Sequence, residues 1–358
     1  MPLYGTIPQY LRDGMHYITN FTVPTAWRRQ YCGVFWAEYD GVTFYFIDNE
    51  YYFKRSGLYG FYDDAERFSF FSRAILEMLP YIDFHPDLIH TNDWQTALVP
   101  TYYYFFYSKN PWYHNIKSLY TIHNIQYQGM YGWGGNTECV GIPEDCTKML
   151  EMDGKLNMSK GAIETSTRVS TVSPSYAKEI LDPWFACGLD QILKHRAYKL
   201  CGILNGIDND SYNPATDFHM YANYTPEYPQ GKEECKRRLQ ERLCLAQRGD
   251  IPLIAMVTRL VSHKGLDLVR GGIEHILDNY DVQFVVLGSG DKEYEDYFWY
   301  LQSKYPGRVC FCHGYVPELA RKIYAGSDIF LMPSKSEPCG LSQMIALRYG
   351  SIPVVREV

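Results

Sequence analysis

The sequence predicts an α/β protein built of parallel sheets with crossover helices and divided into two domains. Three observations carry this. The chain has 358 residues, more than one ordinary core supports. Short apolar runs of strand length alternate with amphipathic runs of helix length, the pattern of strand–helix–strand units. The alternation lapses once, over residues 204–227, into NGIDNDSYNPATD and then a stretch rich in Tyr and Pro, before a second series begins. Such a stretch reads as an inter-domain connection.

In chain order, the first 60 residues read as short β segments, and residues 33–49 alternate around Asp40-Gly41, a hairpin signal. Residues 65–79 read as a helix, and 87–91 as a short buried strand running into Asn92-Asp93-Trp94. Residues 96–107 continue as a helix; 117–122 form a strand ending in His123-Asn124; 168–172 form a strand ending in Ser173-Pro174, with a helix over 176–181. In the second series, strands are expected at 252–257, 282–287, 308–312, 328–332 and 352–355. Helices are expected between them at 265–279, 293–304, 318–325 and 340–349. No solenoid repeat or low-complexity tract is visible.

Composition narrows the function classes. Apolar residues make up 46% and charged residues 21%, a globular balance. A net charge of −7 argues against a nucleic-acid surface. Ten cysteines without a C-x-x-C spacing or regular framework fit a reducing compartment better than a disulfide scaffold, and no spacing suggests a metal site. No apolar run reaches the roughly 18–20 residues of a membrane span, and MPLYGTIPQY lacks the basic and apolar regions of a secretory signal. The expectation is a cytoplasmic protein, or a plastid one if the source is a plant or alga.

In open α/β sheets ligands bind at the carboxyl ends of strands, so polar residues there are the candidates. Arg259 and Lys264, five positions apart at a strand end beside a helix start, would converge on an anion such as a diphosphate leaving group. The same pair, taken alone, also reads as cations solvating a loop. Gly288-Ser289-Gly290-Asp291 is a partial G-x-G without its third glycine, a tight turn passing near a nucleotide rather than a dinucleotide fingerprint. Glu337, ahead of Cys339-Gly340-Leu341, reads equally as a helix-terminal carboxylate favoured by the macrodipole and as a group that holds sugar hydroxyls. Asn92-Asp93-Trp94 and His123-Asn124 end two successive strands, and with the other strand ends would line a cleft. G-x-S-x-G and Walker A sequences are absent.

Six stretches, in order, resemble one family: IHTNDWQTALVP (89–100), TIHNIQYQGM (121–130), VSTVSPSYAKEI (169–180), GILNGIDNDSYNPATD (202–217), VTRLVSHKGLDLV (257–269) and SEPCGLSQMIALRYGSIPVV (336–355). The chain is similar to the bacterial glycogen synthase and plant starch synthase family, glycosyltransferase family 5. The resemblance implies a GT-B architecture: two Rossmann-like domains with parallel sheets facing each other across a cleft. The acceptor-side domain would span 1–200 and the nucleotide-sugar domain 201–358. The implied activity is transfer of glucose from ADP-glucose to the non-reducing end of an α-1,4-glucan, glycogen or starch, with retention of configuration. Neither a metal nor a further cofactor is implied. By the same resemblance Arg259 and Lys264 fall on the pair that holds the diphosphate, and Glu337 on the carboxylate for donor-glucose hydroxyls, beside Cys339, Gly340 and Leu341. His123, with Asn124, falls near the sugar; Asp93 and Trp94 in the acceptor and donor cleft; and Asn205 at the domain junction.

The sequence departs from the family pattern in places. The family opens with a strand and a lysine-plus-diglycine loop, and Met1 begins just past that point. It continues beyond IPVV into a glycine-rich loop and a tail. The expectation is a chain incomplete at both ends, of low or no synthase activity by itself. Position 345 is Ile, where the wider superfamily often has a second glutamate, and Tyr131–Asn136 is idiosyncratic, leaving acceptor specificity open. The rival readings are another GT-B transferase of sucrose-synthase type, a non-catalytic glucan-binding remnant and, most remote, a nicotinamide oxidoreductase.

Overall fold

The first ladder forms around Asp40 and Gly41, whose φ angles of 51° and 72° are the pair of positive values a two-residue hairpin turn requires. They join β2 (Arg28–Tyr39) to β3 (Val42–Asp48), and β1 (His16–Thr25) pairs antiparallel with β2. At 10 and 12 residues, β1 and β2 are longer than the short segments expected. Val23, Cys32, Val34 and Ile47 from this sheet pack on Phe68, Phe71 and Ala74 of α1 (Asp64–Met78). The computed structural model describes residues 1–26, 28–132 and 134–357. They divide into two units, Met1–Ile203 and Leu204–Val358.

The main sheet of the first unit is parallel, in the order β10-β9-β5-β4. Its strands are β4 (Leu88–Asn92), β5 (Lys117–Ile122), β9 (Arg168–Thr171) and β10 (Leu200–Gly202). The single helix expected over 96–107 is instead a 3₁₀ turn, Trp94–Thr96, then α2 (Leu98–Tyr102), then a π turn over Tyr103–Tyr107. Pro100, which has no N–H to donate, sits in the middle of that run. A small sheet of β6 (Met130–Gly132), β7 (Glu151–Met152) and β8 (Lys155–Asn157) was not expected, because two- and three-residue strands are too short to show a period. Asn157 caps α3 (Met158–Thr165). Ser173 caps α4 (Pro174–Glu179), whose proline occupies the first turn.

The second unit carries a five-stranded parallel sheet in the order β13-β12-β11-β14-β15. The strands are β11 (Leu253–Val257), β12 (Gln283–Gly288), β13 (Val309–His313), β14 (Ile329–Met332) and β15 (Ile352–Val355). β11 is buried along its whole length, as a central parallel strand covered on both faces must be. Leu253, Ala255 and Val257 pack on one face with α5 (Gln230–Arg242), α8 (Pro317–Gly326) and α9 (Leu341–Arg348). Ile254 and Met256 pack on the other with α6 (Leu266–Asn279) and α7 (Lys292–Lys304). Helix α5 escaped the sequence reading because its only buried apolar residues are Cys235 and Leu239.

One expectation is corrected. The stretch 204–227 is not a connection between domains but part of the second unit. Ile207, Tyr212, Met220 and Tyr224 join its core, and Tyr224 Oη donates to Tyr349 O at 2.8 Å. Its Tyr and Pro content mimics a linker, but Tyr224 is buried and Tyr212 and Tyr221 pack against the core.

The strand order gives this sheet a direction change. From β11 the chain runs through α6 to β12 on one side, and from β14 through α9 to β15 on the other. The two crossovers lie on opposite faces, and the loops leaving the carboxyl ends of β11 and β14 flank a crevice. A crevice of this kind is where open α/β sheets bind ligands.

Candidate active site

In the second unit that crevice is lined by the residues singled out above. Beyond β11, the chain passes Thr258 and Arg259 and makes a short 3₁₀ turn, Ser262–Lys264, before Gly265 opens α6. Gly265 has φ of 71°, and a Cβ there would stand 2.0 Å from Pro333 O, so only glycine lets this turn meet the loop leaving β14. The loops are further tied by Lys335 N donating to His263 O at 2.9 Å and by the Lys335–Asp267 ion pair at 2.8 Å.

That approach places Lys264 Nζ 2.6 Å from Glu337 Oε2, and Ser334 Oγ donates to the same oxygen at 3.0 Å. The two side chains are 16% and 23% exposed, so the pair is reachable from outside. Cys339 receives a hydrogen bond from the backbone of Asn205, and burial, ahead of that bond and of the Glu337 charge, pushes its thiol pKa up. Gly340 caps α9 with φ of 75° and ψ of 55°, leaving the first N–H groups of the helix, from Leu341 on, unpaired by the helix itself. Lys264 and Glu337 are therefore brought together, as are Cys339 and Asn205. Arg259 lies on the wall of a cavity.

The cavity, of about 380 Å³, is bounded by the ends of β11 and β12 and the start of α9. Arg259, Thr258, Ser289, Leu341 and Ser342 form one part of its wall, and Tyr212, Tyr315 and Tyr324 another. The tyrosines were not singled out from the sequence. Tyr315 follows β13 by two residues, so the strand-end rule that selected Arg259 would also have found it. The glycines of Gly288-Ser289-Gly290 have a packing role as well: Cβ atoms at 288 and 290 would stand 2.0 Å from Thr258 O and 2.3 Å from Leu260 O. Close backbone approach explains both glycines without a phosphate.

In the first unit, Asp93 follows β4 with φ of 56°, a conformation that costs a non-glycine residue energy and concentrates at functional positions. Its N donates to Thr121 O at 3.0 Å, and its Oδ1 accepts from His123 N at 2.8 Å. Burial raises its carboxyl pKa, opposed by the hydrogen bonds and charge of His123 and by a bond from the Asn124 backbone. The carboxylate thus holds the turn that presents His123 and Asn124. His123 Nε2 meets Asn92 Oδ1 at 2.9 Å, and Asn124 Oδ1 accepts from Gln126 N at 3.0 Å. Trp94 packs edge-on against Phe68, centroids 5.0 Å apart, and lies 6.0 Å from Tyr131. A Cβ at Gly129, whose φ is 65°, would press to 2.8 Å from its ring. Of the stretch 131–136, Trp133 lies outside the described residues.

Among the described residues no cluster of three or more His, Cys, Asp or Glu could hold a metal ion, and no helix is long and apolar enough to cross a membrane.

Comparison with known proteins follows the same division. Residues 1–195 match the family described as starch synthase catalytic domain, and residues 242–358 match glycosyl transferases group 1. The chain is 50% identical over 359 residues to a glycogen synthase of Desulforamulus reducens, covering all of this chain and 75% of that protein. A glycogen synthase of Bacillus cereus is 48% identical over 361 residues with the same coverage. Among solved structures, the catalytic domain of starch synthase IV from Arabidopsis thaliana, bound to ADP and acarbose, superposes with a TM-score of 0.86 at 36% identity. The match covers 96% of this chain and 72% of that one.

Proposed function

We propose, for a chain that belongs to the starch and glycogen synthase family, that the crevice between β11 and β14 is its nucleotide-sugar site. The chain is a glycogen or starch synthase, a glucosyltransferase of GT-B fold. In this reading the donor is ADP-glucose, the acceptor an α-1,4-glucan, and no further cofactor takes part.

The observation that carries the reading is the Lys264–Glu337 pair at the sheet's direction change. A cation and a carboxylate 2.6 Å apart match the two ends of a sugar diphosphate. The ammonium turns to the phosphate oxygens, and the carboxylate is released to accept from glucose hydroxyls. Arg259 adds a guanidinium, and the N–H groups at Gly340 and Leu341 add the positive end of α9. The cavity walled by Tyr315 and Tyr212 has the size and aromatic character to take the base.

Rupture of the sugar–phosphate bond leaves positive charge on the anomeric carbon and negative charge on the departing diphosphate. Arg259, Lys264 and the helix end stabilise the departing charge, which grows in the transition state. Retention without an enzymic nucleophile implies attack on the same face, with the leaving phosphate taking the acceptor's proton. In the first unit His123, with Asn124 beside it, is assigned to sugar binding and Trp94 to the acceptor path, and Asp93 fixes the turn that carries His123.

The test is transfer of labelled glucose from ADP-glucose to glycogen by the purified chain, with UDP-glucose in parallel. Label released as maltose by β-amylase, and lost in Lys264→Ala and Glu337→Ala, supports the reading. Glycogen binding with no saturable binding of ADP-glucose, or ADP-glucose binding that neither substitution affects, contradicts it.

A further inference from the structure

Among the described residues β13 is an edge strand, paired only to β12. Its residues alternate between the two faces of the sheet: Val309 and Phe311 enter the core under α6 and α7, while Cys310 and Cys312 point to the face covered by α5 and α8. Both cysteines are free thiols of intermediate exposure, because no strand lies beyond β13 to close them in. Their sulfurs stand 3.8 Å apart. Arg242, at the end of α5, sets its charge toward Cys312. The hydrogen bond from Cys310, first, and then Arg242 lower the Cys312 thiol pKa against the effect of burial, while Cys310 is raised by the same bond and by burial. The charge of Arg242 favours the Cys312 thiolate, and a thiolate is both nucleophile and soft ligand.

We propose that Cys310 and Cys312 form a vicinal dithiol site that captures one thiophilic centre of the trivalent arsenical class across both sulfurs. The spacing favours a bridged adduct over a direct disulfide. A disulfide needs the sulfurs at about 2.05 Å with relaxed torsions, which neighbouring positions on one face of a regular strand strain. A bridging atom leaves the sulfurs close to where they stand.

The reaction conserves electrons. The Cys312 thiolate forms an As–S bond, then Cys310 forms the second. Two As–O bonds break, the departing oxygen takes the Cys310 proton and one from solvent in place of the proton Cys312 had released, and water leaves with arsenic still trivalent. The second bond forms within one molecule, so effective concentration protects the adduct from monothiols. A dithiol competitor, which makes the same chelate, removes it. The site is independent of the glucosyl-transfer reading.

The experiment is titration of the reduced chain with phenylarsine oxide, followed by intact mass and by alkylation mapping. The expected result is one arsenical per chain at this pair, retained in excess 2-mercaptoethanol and released by dithiothreitol. Cys310 and Cys312 should be shielded from iodoacetamide together. Cys310→Ser and Cys312→Ser should each lose the retained adduct, while Cys244→Ser keeps it. Because the shielding is read on the unsubstituted chain, it stands even if a variant folds poorly. Release by 2-mercaptoethanol, shielding at other cysteines only, or full retention in Cys310→Ser would overturn the proposal.

Discussion

Lys264 Nζ and Glu337 Oε2 lie 2.6 Å apart, on loops that leave adjacent strands, β11 and β14, at the point where the sheet reverses its order. With side chains 16% and 23% exposed, the pair is mostly buried, and truncating one partner leaves the other charge without its counter-ion. Lys264→Ala and Glu337→Ala should therefore lower the melting temperature while the fold is retained. Each should lower turnover about tenfold or more, equivalent to ~1.4 kcal/mol of transition-state stabilisation per factor of ten. Initial rates alongside thermal melts check both halves, and near-native rates would remove these residues from the donor site.

Tyr315 is 72% exposed at the edge of the cavity, and its proposed role is to stack on the donor base. Stacking of a base on an aromatic ring is worth about 1–3 kcal/mol by alanine substitution. Tyr315→Ala should raise KM for ADP-glucose and leave kcat largely intact, the signature of lost uniform binding. An unchanged KM would place the base elsewhere.

Asp93 acts through the His123 turn, so the acceptor oxygen matters more than the charge. Asp93→Asn keeps an oxygen for His123 N and should retain a substantial part of kcat. Asp93→Ala leaves that N–H without its partner and should lose far more. Equal losses in the two variants would point to a direct role for the negative charge.

Gly265→Ala tests how the loops are held. A left-handed φ costs a non-glycine residue about 1–2 kcal/mol, and the new Cβ would also press on Pro333 O. Lower thermal stability and weaker donor binding should appear together, because Pro333 lies in the loop that carries Glu337. A fall in stability with unchanged donor affinity would show that the loop positions are set independently.

Asp217 links pH to the stability of the second unit. Burial alone would raise its carboxyl, but hydrogen bonds from Tyr349 Oη, His219 and Arg321 hold its pKa below the ordinary value. Because the folded value is lowered, the stabilisation is present above the unfolded pKa of about 3.9 and is lost as pH falls through the folded value. Asp217→Asn should lower the melting temperature at neutral pH and flatten its fall under acid, which melts across an acid series would show. An identical acid profile would remove Asp217 as a contributor.

Much of this architecture was legible in the sequence because parallel strands buried on both faces appear as unbroken apolar runs, as in 253–257 and 284–287. Strand ends then pointed to Arg259, Lys264, Glu337, Asp93 and His123 with no tertiary information. Side-chain pairing was not legible. Nothing local joins Lys264 to Glu337, 73 positions apart, or assigns the Asp93 carboxylate to the backbone of His123. Helix α5 was hidden by its polar composition, and residues 204–227 were misread because tyrosines that pack on the core, Tyr212, Tyr221 and Tyr224, share the composition of a linker.

Calorimetric titration of the native chain, Lys264→Ala and Glu337→Ala with ADP and with ADP-glucose tests the donor site most directly. The expected result is saturable binding of both ligands by the native chain. Lys264→Ala should weaken both ligands, and Glu337→Ala should weaken ADP-glucose while leaving ADP almost unaffected, because only the sugar reaches the carboxylate. Equal affinities in all three proteins would contradict the assignment of this pair to the nucleotide sugar.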